Sequence, residues 1–512
     1  MSTPGFLQQR GLRLWRATDR LFDGAFGSTL NPLRHLGALG LLAFALLVVS
    51  GSVLFILFDT SVHDAWRSVE RLDALPLASG RLLRGLHRYA ADLLVISLGL
   101  HLLREWVFRH ERGFRRFSWL TGVPLVALVF FAAIGGFWLN WDQLGQYSAV
   151  ATAEWVDALP LLAAPLARNF LLADNVSDRL FSLFVFVHLG VPLLLTYGLW
   201  FHVQRIARPA VLPPRRLALA TLAVLAALAL AVPVISHPPA ALAQMPASLR
   251  LDWIVLFLHP LVDASSGTAV WLGVAAAAVL LFGLPYLPRK AQPVAVVDAD
   301  NCNGCQRCFV DCPYAAITMV PHPNQRIGRQ LAVVDADLCA ACGICAGSCP
   351  SSTPFRSAAQ LVTGIDMPQR PVGELRQALN QRLAGCTATH PLVVFGCDHG
   401  AALPQGDDVL AFPLLCAGQL PPSFVEYALR DGAAGVLVAG CPGGGCEFRF
   451  GERWTAERLA GQREPHLRQQ VDTRRLELVL AAADDPDAVR VALRRLRERV
   501  KILPLETDVI PA

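Results

Sequence analysis

Charge is scarce in this sequence. Only 17% of its 512 residues are Asp, Glu, Lys or Arg, against about 25% in soluble domains, which argues against a single soluble globule. A chain that is 54% hydrophobic can bury ample apolar surface, so dominant disorder is excluded. The net charge of +5 is too small to suggest nucleic-acid binding. Cysteine is missing from the first 300 residues, and all thirteen cysteines lie beyond them. No Walker sequence or nucleophile elbow is present, and the Gly-rich "GCPGGGC" has neither G-x-G-x-x-G spacing nor a following acidic partner. With no flavin or nicotinamide site visible, two-electron chemistry on soluble substrates falls to a partner. What remains is an apolar half, a cysteine-rich half and, at about 100–200 residues per domain, three or four units.

Apolar runs of about 20 residues can span a bilayer core as helices. Six are present, at roughly Leu36–Phe58, Leu86–Phe108, Leu120–Leu139, Leu180–Val203, Leu217–Ile235 and Thr268–Tyr286. The first is too long for a signal-peptide core and lacks a small-residue cleavage site, so it is expected to remain as a span. Gln8–Phe26 mixes Arg with Leu, Trp and Phe; it either lies on the membrane surface or is a solvated helix. Positive charge alternates between loops. Arg104, Arg109, Arg112, Arg115 and Arg116 cluster after the second run, and Arg205, Arg208, Arg215 and Arg216 after the fourth. The loop after the third run is acidic, with Asp142, Glu154, Asp157, Asp174 and Asp178 against Arg168 and Arg179. The bias predicts a cytoplasmic N-terminus and a cytoplasmic segment after Arg289–Lys290. In that reducing compartment the cysteines are expected to be metal ligands rather than disulfides.

The second run carries His87 and His101, the fourth His188 and His202; both pairs are 14 residues apart. Fourteen residues turn a helix through about 1400°, close to four full turns, and rise about 21 Å. Each helix therefore shows two imidazoles on one face. The two helices run the same way, so His87 can meet His188 at the outer level and His101 can meet His202 at the inner level. Two such pairs can ligate two stacked haems; the alternative is lone histidines that hydrogen-bond between helices. Gly37 and Gly51 in the first run, and Gly122 and Gly136 in the third, share the 14-residue period. They permit a flat ring to approach the backbone or simply allow close helix packing. Arg84 and Arg104 are placed to pair with haem propionates or to sit at the membrane boundary.

The stretch "LLRGLHRYAADLLVISLGLHLLREW", with "RRFSWLTG", "GGFWLNWDQ" and the His188/His202 helix, resembles cytochrome b of the quinol-oxidising bc-type complexes over roughly residues 10–208. The resemblance implies two b-type haems in a four-helix bundle and quinone chemistry near the outer haem, the inner haem or both. Residues 237–287 resemble the C-terminal part of that family more distantly. Its outer Pro-Glu-Trp-Tyr element corresponds to Leu251, Asp252, Trp253 and Ile254 here. The comparison makes Asp252 a quinol proton acceptor; the alternative is an interfacial loop acid.

Two runs of C-x2-C-x2-C-x3-C-P follow. In this bacterial ferredoxin pattern the fourth Cys ligates the other cluster. One [4Fe–4S] cluster is therefore assigned Cys302, Cys305, Cys308 and Cys349, and the second Cys339, Cys342, Cys345 and Cys312. Zinc sites usually present paired C-x2-C units instead. Residues 294–356 resemble a two-cluster ferredoxin.

Beyond residue 370, "PLVVFGC", "DVLAFPLL", "AGVLVAGC" and "LELVLAA" read as buried strands. "PPSFVEYALRDG", "ERWTAERLAGQREPHLRQQVDTRR" and "PDAVRVALRRLRERV" read as helices, giving an α/β domain with a parallel sheet. Cys397, Cys416, Cys441 and Cys446 follow its strands at what should be one sheet edge. They hold either a [2Fe–2S] cluster or inert buried thiols. Cys386 reads as a bystander. Residues 388–455 resemble the delta-subunit family of methyl-viologen-reducing hydrogenases, which implies a soluble flavoprotein or a heterodisulfide-reductase- or hydrogenase-like partner. That family's first C-x2-C reads Cys397-Asp-His-Gly400 here, so a thiol is missing and His399 either replaces it or lies at the surface.

The expected architecture is multi-domain. Residues 1–210 form a di-haem four-helix domain and 211–290 two further helices of an all-α transmembrane bundle. Residues 294–356 form an α+β ferredoxin-like domain and 370–512 an α/β parallel-sheet domain. The expected function is that of an oxidoreductase subunit in the bacterial inner membrane, linking quinone through two b-type haems to iron–sulfur clusters. The ferredoxin clusters are expected beside the inner haem, with the α/β domain docking the partner; a homodimer fits the cytochrome b resemblance. The alternatives are a docking anchor without quinone turnover and a quinol-oxidising electron-splitting module.

Overall fold

The computed structural model describes residues 6–159, 171, 176–204, 210–244, 248–287, 293–325, 327, 329–350, 361–443, 445–483 and 485–503. Arg168, Asp174, Arg205, Arg208, Arg289 and Lys290 of the charge-orientation argument lie outside the described residues.

Each of the six apolar runs contains a helix, although the fifth ends at Ala231, four residues short of the expected Ile235. Helix α1 (Phe6–Phe26) buries Trp15 against Leu33, Leu36 and Val107 while Phe6, Leu7, Leu14 and Leu21 stay exposed. Then come α2 (Leu36–Leu57), the short α3 (Ala65–Arg71), α4 (Ser79–Val107), α5 (Arg116–Asn140), α6 (Gln143–Asp157), α7 (Asp178–Val203) and α8 (Arg215–Ala231). The short α9 (Leu258–Ala264) and α10 (Gly267–Gly283) complete this half. Among the described residues, four segments are long and apolar enough to cross a membrane: 36–57, 113–140, 178–203 and 267–286. Helix α8 has 17 residues, which span about 26 Å against a hydrocarbon core of about 30 Å. Helix α4 has 29 residues but carries Arg84, Arg88 and Asp92 within them. Helix α2 packs on α4 and α5 on α7, while α4 also packs on α8. At that last crossing a Cβ on Gly85 would lie 2.5 Å from the Ala229 Cβ, so the close approach requires glycine.

The cysteine-rich half has two parts. In the first, β2 (Ile317–Pro321) pairs antiparallel with β3 (Gln330–Val334), and β1 (Val296–Val297) with β4 (Ile365–Asp366). The short helices α11 (Arg307–Asp311) and α12 (Ile344–Gly347) each lie within one cysteine run. The second part is a four-stranded parallel sheet in the order β6-β5-β7-β8, from β5 (Leu392–Cys397), β6 (Val409–Leu414), β7 (Gly435–Gly440) and β8 (Leu476–Leu480). Strands β5 and β7 are buried at every residue, as parallel strands covered on both faces must be. Helices α13 (Val372–Ala384), α14 (Ser423–Arg430), α15 (Gly451–Leu459) and α16 (Pro486–Lys501) accompany the sheet.

The helix expected over 452–475 ends at Leu459. Gly461 takes φ +75°, the Gln462 N–H donates to the Glu457 carbonyl (2.8 Å) and the Gly461 N–H to that of Arg458 (3.3 Å). This is a Schellman stop: the left-handed glycine lets the chain turn back and satisfy the last carbonyls.

Candidate redox centres

At the level expected to be the outer one, His87 on α4 faces His188 on α7, with ring centroids 6.4 Å apart and ring planes inclined at 68°. His87 Nδ1 lies 3.0 Å from Ser50 Oγ, and His188 Nδ1 lies 2.9 Å from the Ala132 carbonyl oxygen. Tying one ring nitrogen to a neighbour fixes tautomer and orientation and leaves the other free for a metal. At the inner level His202 Nδ1 sits 3.1 Å from Thr121 Oγ1, and His101 Nδ1 lies 3.8 Å from Glu105 Oε1. The four glycines sit against these rings. A Cβ on Gly51 would lie 2.9 Å from His87 Cε1, on Gly136 3.0 Å from His188 Cε1, on Gly122 3.0 Å from His202 Cε1 and on Gly37 3.5 Å from His101 Cε1. The flat ring that each glycine admits here is thus an imidazole. The 6.4 Å separation suits one iron between His87 and His188, because metal–imidazole bonds are about 2 Å and a nitrogen lies about 1 Å from its ring centre.

Both arginines expected at propionates have protein partners. Arg84 reaches Glu70 at 3.4 Å and also Ser236. Arg104 pairs with Glu105 at 2.8 Å and lies over the Phe108 ring. Asp252 is buried and ion-paired with Arg88, next in sequence to His87, while its Oδ1 accepts from the Ile254 (2.9 Å) and Val255 (3.0 Å) amides. The structure thus brings this loop close to Arg88 and His87, with one carboxylate oxygen held by the loop's own amides.

Two cavities contain the ferredoxin-type thiols. One is lined by Cys302, Cys305, Cys308 and Cys349, with Met319, Ala332 and Ile365. Another is lined by Cys312, Cys339, Cys342 and Cys345, with Tyr314, Ile344 and Met367. Burial and the surrounding thiols push Cys308 up to about 12. Such crowded thiols ionise only beside strong positive charge, which a bound iron–sulfur group supplies. Four thiols in each cavity are the donor set that a [4Fe–4S] group takes.

At the sheet edge Cys397 Sγ lies 3.6 Å from Cys441 Sγ. Cys416 reaches Cys397 and Cys446, and Cys446 reaches Cys441, so the four thiols close a ring. A Cβ on Gly451 would lie 2.0 Å from Cys416 Sγ, which leaves room for glycine alone beside this ring. His399 turns its imidazole edge-on to Phe448, 5.2 Å between centroids, while its backbone faces Cys397. Cys386 lies apart, its thiol 3.9 Å from the Asp407 carbonyl oxygen.

Sequence reasoning missed Ser50, Thr121 and the Ala132 carbonyl. A signal existed, since the two hydroxyl residues directly precede Gly51 and Gly122. It also missed a buried bridge between the two halves. His110 Nε2 lies 3.0 Å from Glu447 Oε1, and Arg115 donates to the Glu447 carbonyl at 2.8 Å. Burial disfavours charge on Glu447, but His110 and Arg115 outweigh it and hold the carboxyl down to about 2.

The cytochrome b/b6/petB family model matches residues 22–209, across both histidine pairs. Cytochrome b6 of Heliobacterium mobile is 30% identical over 170 residues, 33% of this chain and 79% of that protein. The chain belongs to the cytochrome b family. Beyond its cytochrome b region, the 4Fe-4S dicluster model matches residues 301–353, and the methyl-viologen-reducing hydrogenase delta-subunit model matches residues 399–503. A solved chain titled "Hyperthermophilic respiratory Complex III" aligns with a TM-score of 0.42 at 20% identity, over 50% of this chain and 75% of that one. This cytochrome b fusion is a multi-pass membrane protein and an electron-transfer component, with haem b and [4Fe–4S] groups as its chemistry.

Proposed function

We propose that the protein links the quinone pool, through two b-type haems, to cytoplasmic iron–sulfur clusters and a soluble redox partner. The observation that carries this reading is the pairing of four histidines at two levels against four glycines, in one chain with two four-thiol cavities. In this reading His87 with His188 and His101 with His202 hold the haems, and Ser50, Ala132 and Thr121 orient three of the imidazoles. Cys302, Cys305, Cys308 and Cys349 hold one [4Fe–4S] cluster; Cys312, Cys339, Cys342 and Cys345 hold the other. Cys397, Cys416, Cys441 and Cys446 hold a [2Fe–2S] cluster. Bound iron accepts and releases one electron at a time, and the protein supplies ligation, orientation and exclusion of water.

Six spans with the iron–sulfur half in the bacterial cytoplasm complete the proposal. Contact between the Arg-rich α4–α5 connection and Glu447 supports that side for both.

Haem and iron counting tests the assignment. The purified protein should carry two b haems per chain, and His87→Ala and His101→Ala should each lose one. Two haems retained in either variant would refute the ligand set.

A further inference from the structure

We infer that the sheet-edge group of Cys397, Cys416, Cys441 and Cys446 is the cytoplasmic neighbour of the inner histidine pair. The Cys339 set then comes next, and the Cys302 set is the outermost station. The inference rests on the proposed electron conduit and reverses the order expected from sequence, in which the ferredoxin segment abuts the membrane.

A short thread of contacts leads from the inner pair to this group. His101 Nδ1 lies 3.8 Å from Glu105 Oε1; Glu105 Oε2 lies 2.6 Å from His110 Nδ1; His110 Nε2 lies 3.0 Å from Glu447 Oε1. Glu447 is covalently next to Cys446. On the same face Arg34, which precedes α2, approaches Gly445; a Cβ there would lie 3.4 Å from its Nη1.

A second observation joins the two thiol groups. Phe114 of the membrane half meets Tyr314 at 4.3 Å between ring centroids. Both belong to one apolar cluster that holds Cys312 and Cys342 as well as Cys416 and Cys446, so the membrane half borders both thiol groups there. Among the described residues, only the sheet-edge group is also joined to the inner pair by the polar thread. Glycine permits the seam: a Cβ on Gly347 would lie 2.1 Å from the Gly418 carbonyl oxygen, and one on Gly418 2.9 Å from Ile344. The ferredoxin helix α12 thus lies backbone to backbone on the turn after Cys416. The Cys302 set lies beyond this seam. Its Cys305 is exposed, and Phe309 and Val310 beside it are 44% and 51% exposed.

Each transfer along this order moves one electron, with no bond made and no proton moved. With reduced methyl viologen as donor, the radical cation becomes the dication and a ferric haem becomes ferrous. The test mixes reduced methyl viologen with the purified holoprotein, following haem absorbance and freeze-quenched EPR of the clusters. In Cys446→Ser, both [4Fe–4S] signals should form at the wild-type rate while haem reduction slows at least tenfold; Cys386→Ser should change neither. Haem reduction within twofold of wild type in Cys446→Ser would overturn the order. Haems that stay oxidised in the wild type, with reduced clusters, would instead sink the conduit reading. The placement is tested apart from electron flow by p-benzoylphenylalanine at position 114. Illumination in membranes should cross-link it to peptides containing Tyr314 or Phe448, and products with lipid alone would overturn the placement.

Discussion

Single atoms decide the inner geometry of this protein. A Cβ on Gly51 or Gly136 would come within about 3 Å of an imidazole carbon, tighter than packed side chains allow. Gly51→Val should therefore displace His87 and lose the outer haem while the inner one persists, which a haemochrome assay with redox titration resolves. Loss of Ser50 Oγ removes one of the two partners of the His87 ring and leaves it held by the Leu47 backbone alone. Ser50→Ala should weaken haem retention about 10–100-fold, the usual range for removing an orienting partner, measured by haem transfer to apomyoglobin. Gly451→Ala would place a methyl 2.0 Å from Cys416 Sγ. EPR should then show the sheet-edge cluster missing with both [4Fe–4S] signals retained. The 14-residue spacing is legible in sequence because helical periodicity alone puts both imidazoles on one face. The Nδ1 partners of His87, His188 and His202 are not, because they come from neighbouring helices whose rotation no local pattern specifies.

Among the elements, the α4–α5 connection joins the two halves. His110 faces Glu105, Glu447 and Arg115 there, and Arg104 and His101 stand by Glu105. Burial and Arg115 oppose its protonation, but the two carboxylates win and raise its pKa. Because the docked form holds the proton more tightly, His110 strengthens the junction below its ordinary titration range. The gain is lost as pH rises through the raised value. Cross-linking from position 114 should accordingly fall at alkaline pH, and His110→Ala should remove that dependence. The four strands are legible as short apolar runs bounded by turns. The stop after Leu459 is less so: Gly461 lies within a helical charge pattern, and only its positive φ ends the helix.

At the scale of the whole molecule, the ferredoxin and α/β segments are bolted together by a buried ion pair. Arg458, almost fully buried, binds Asp311 at 2.6 Å and the Gly418 carbonyl at 2.9 Å, and Arg463 takes the other Asp311 oxygen at 2.6 Å. Removing one partner of such a pair costs about 3–5 kcal/mol. Arg458→Ala should lower the thermal unfolding temperature of the iron–sulfur half in differential scanning calorimetry, with haem content unchanged. The three-part organisation is legible because each segment carries its own local signature. The way the segments dock is not, because His110 and Glu447 are 337 residues apart and neither belongs to a motif.

The most direct test of the central claim is anaerobic addition of a quinol analogue to the purified oxidised protein while the haem absorbance is followed. The account predicts reduction of haem b in the wild type and its loss in His87→Ala/His101→Ala. Haems that stay oxidised under quinol yet are reduced through the iron–sulfur clusters would contradict the quinone link and leave a docking subunit.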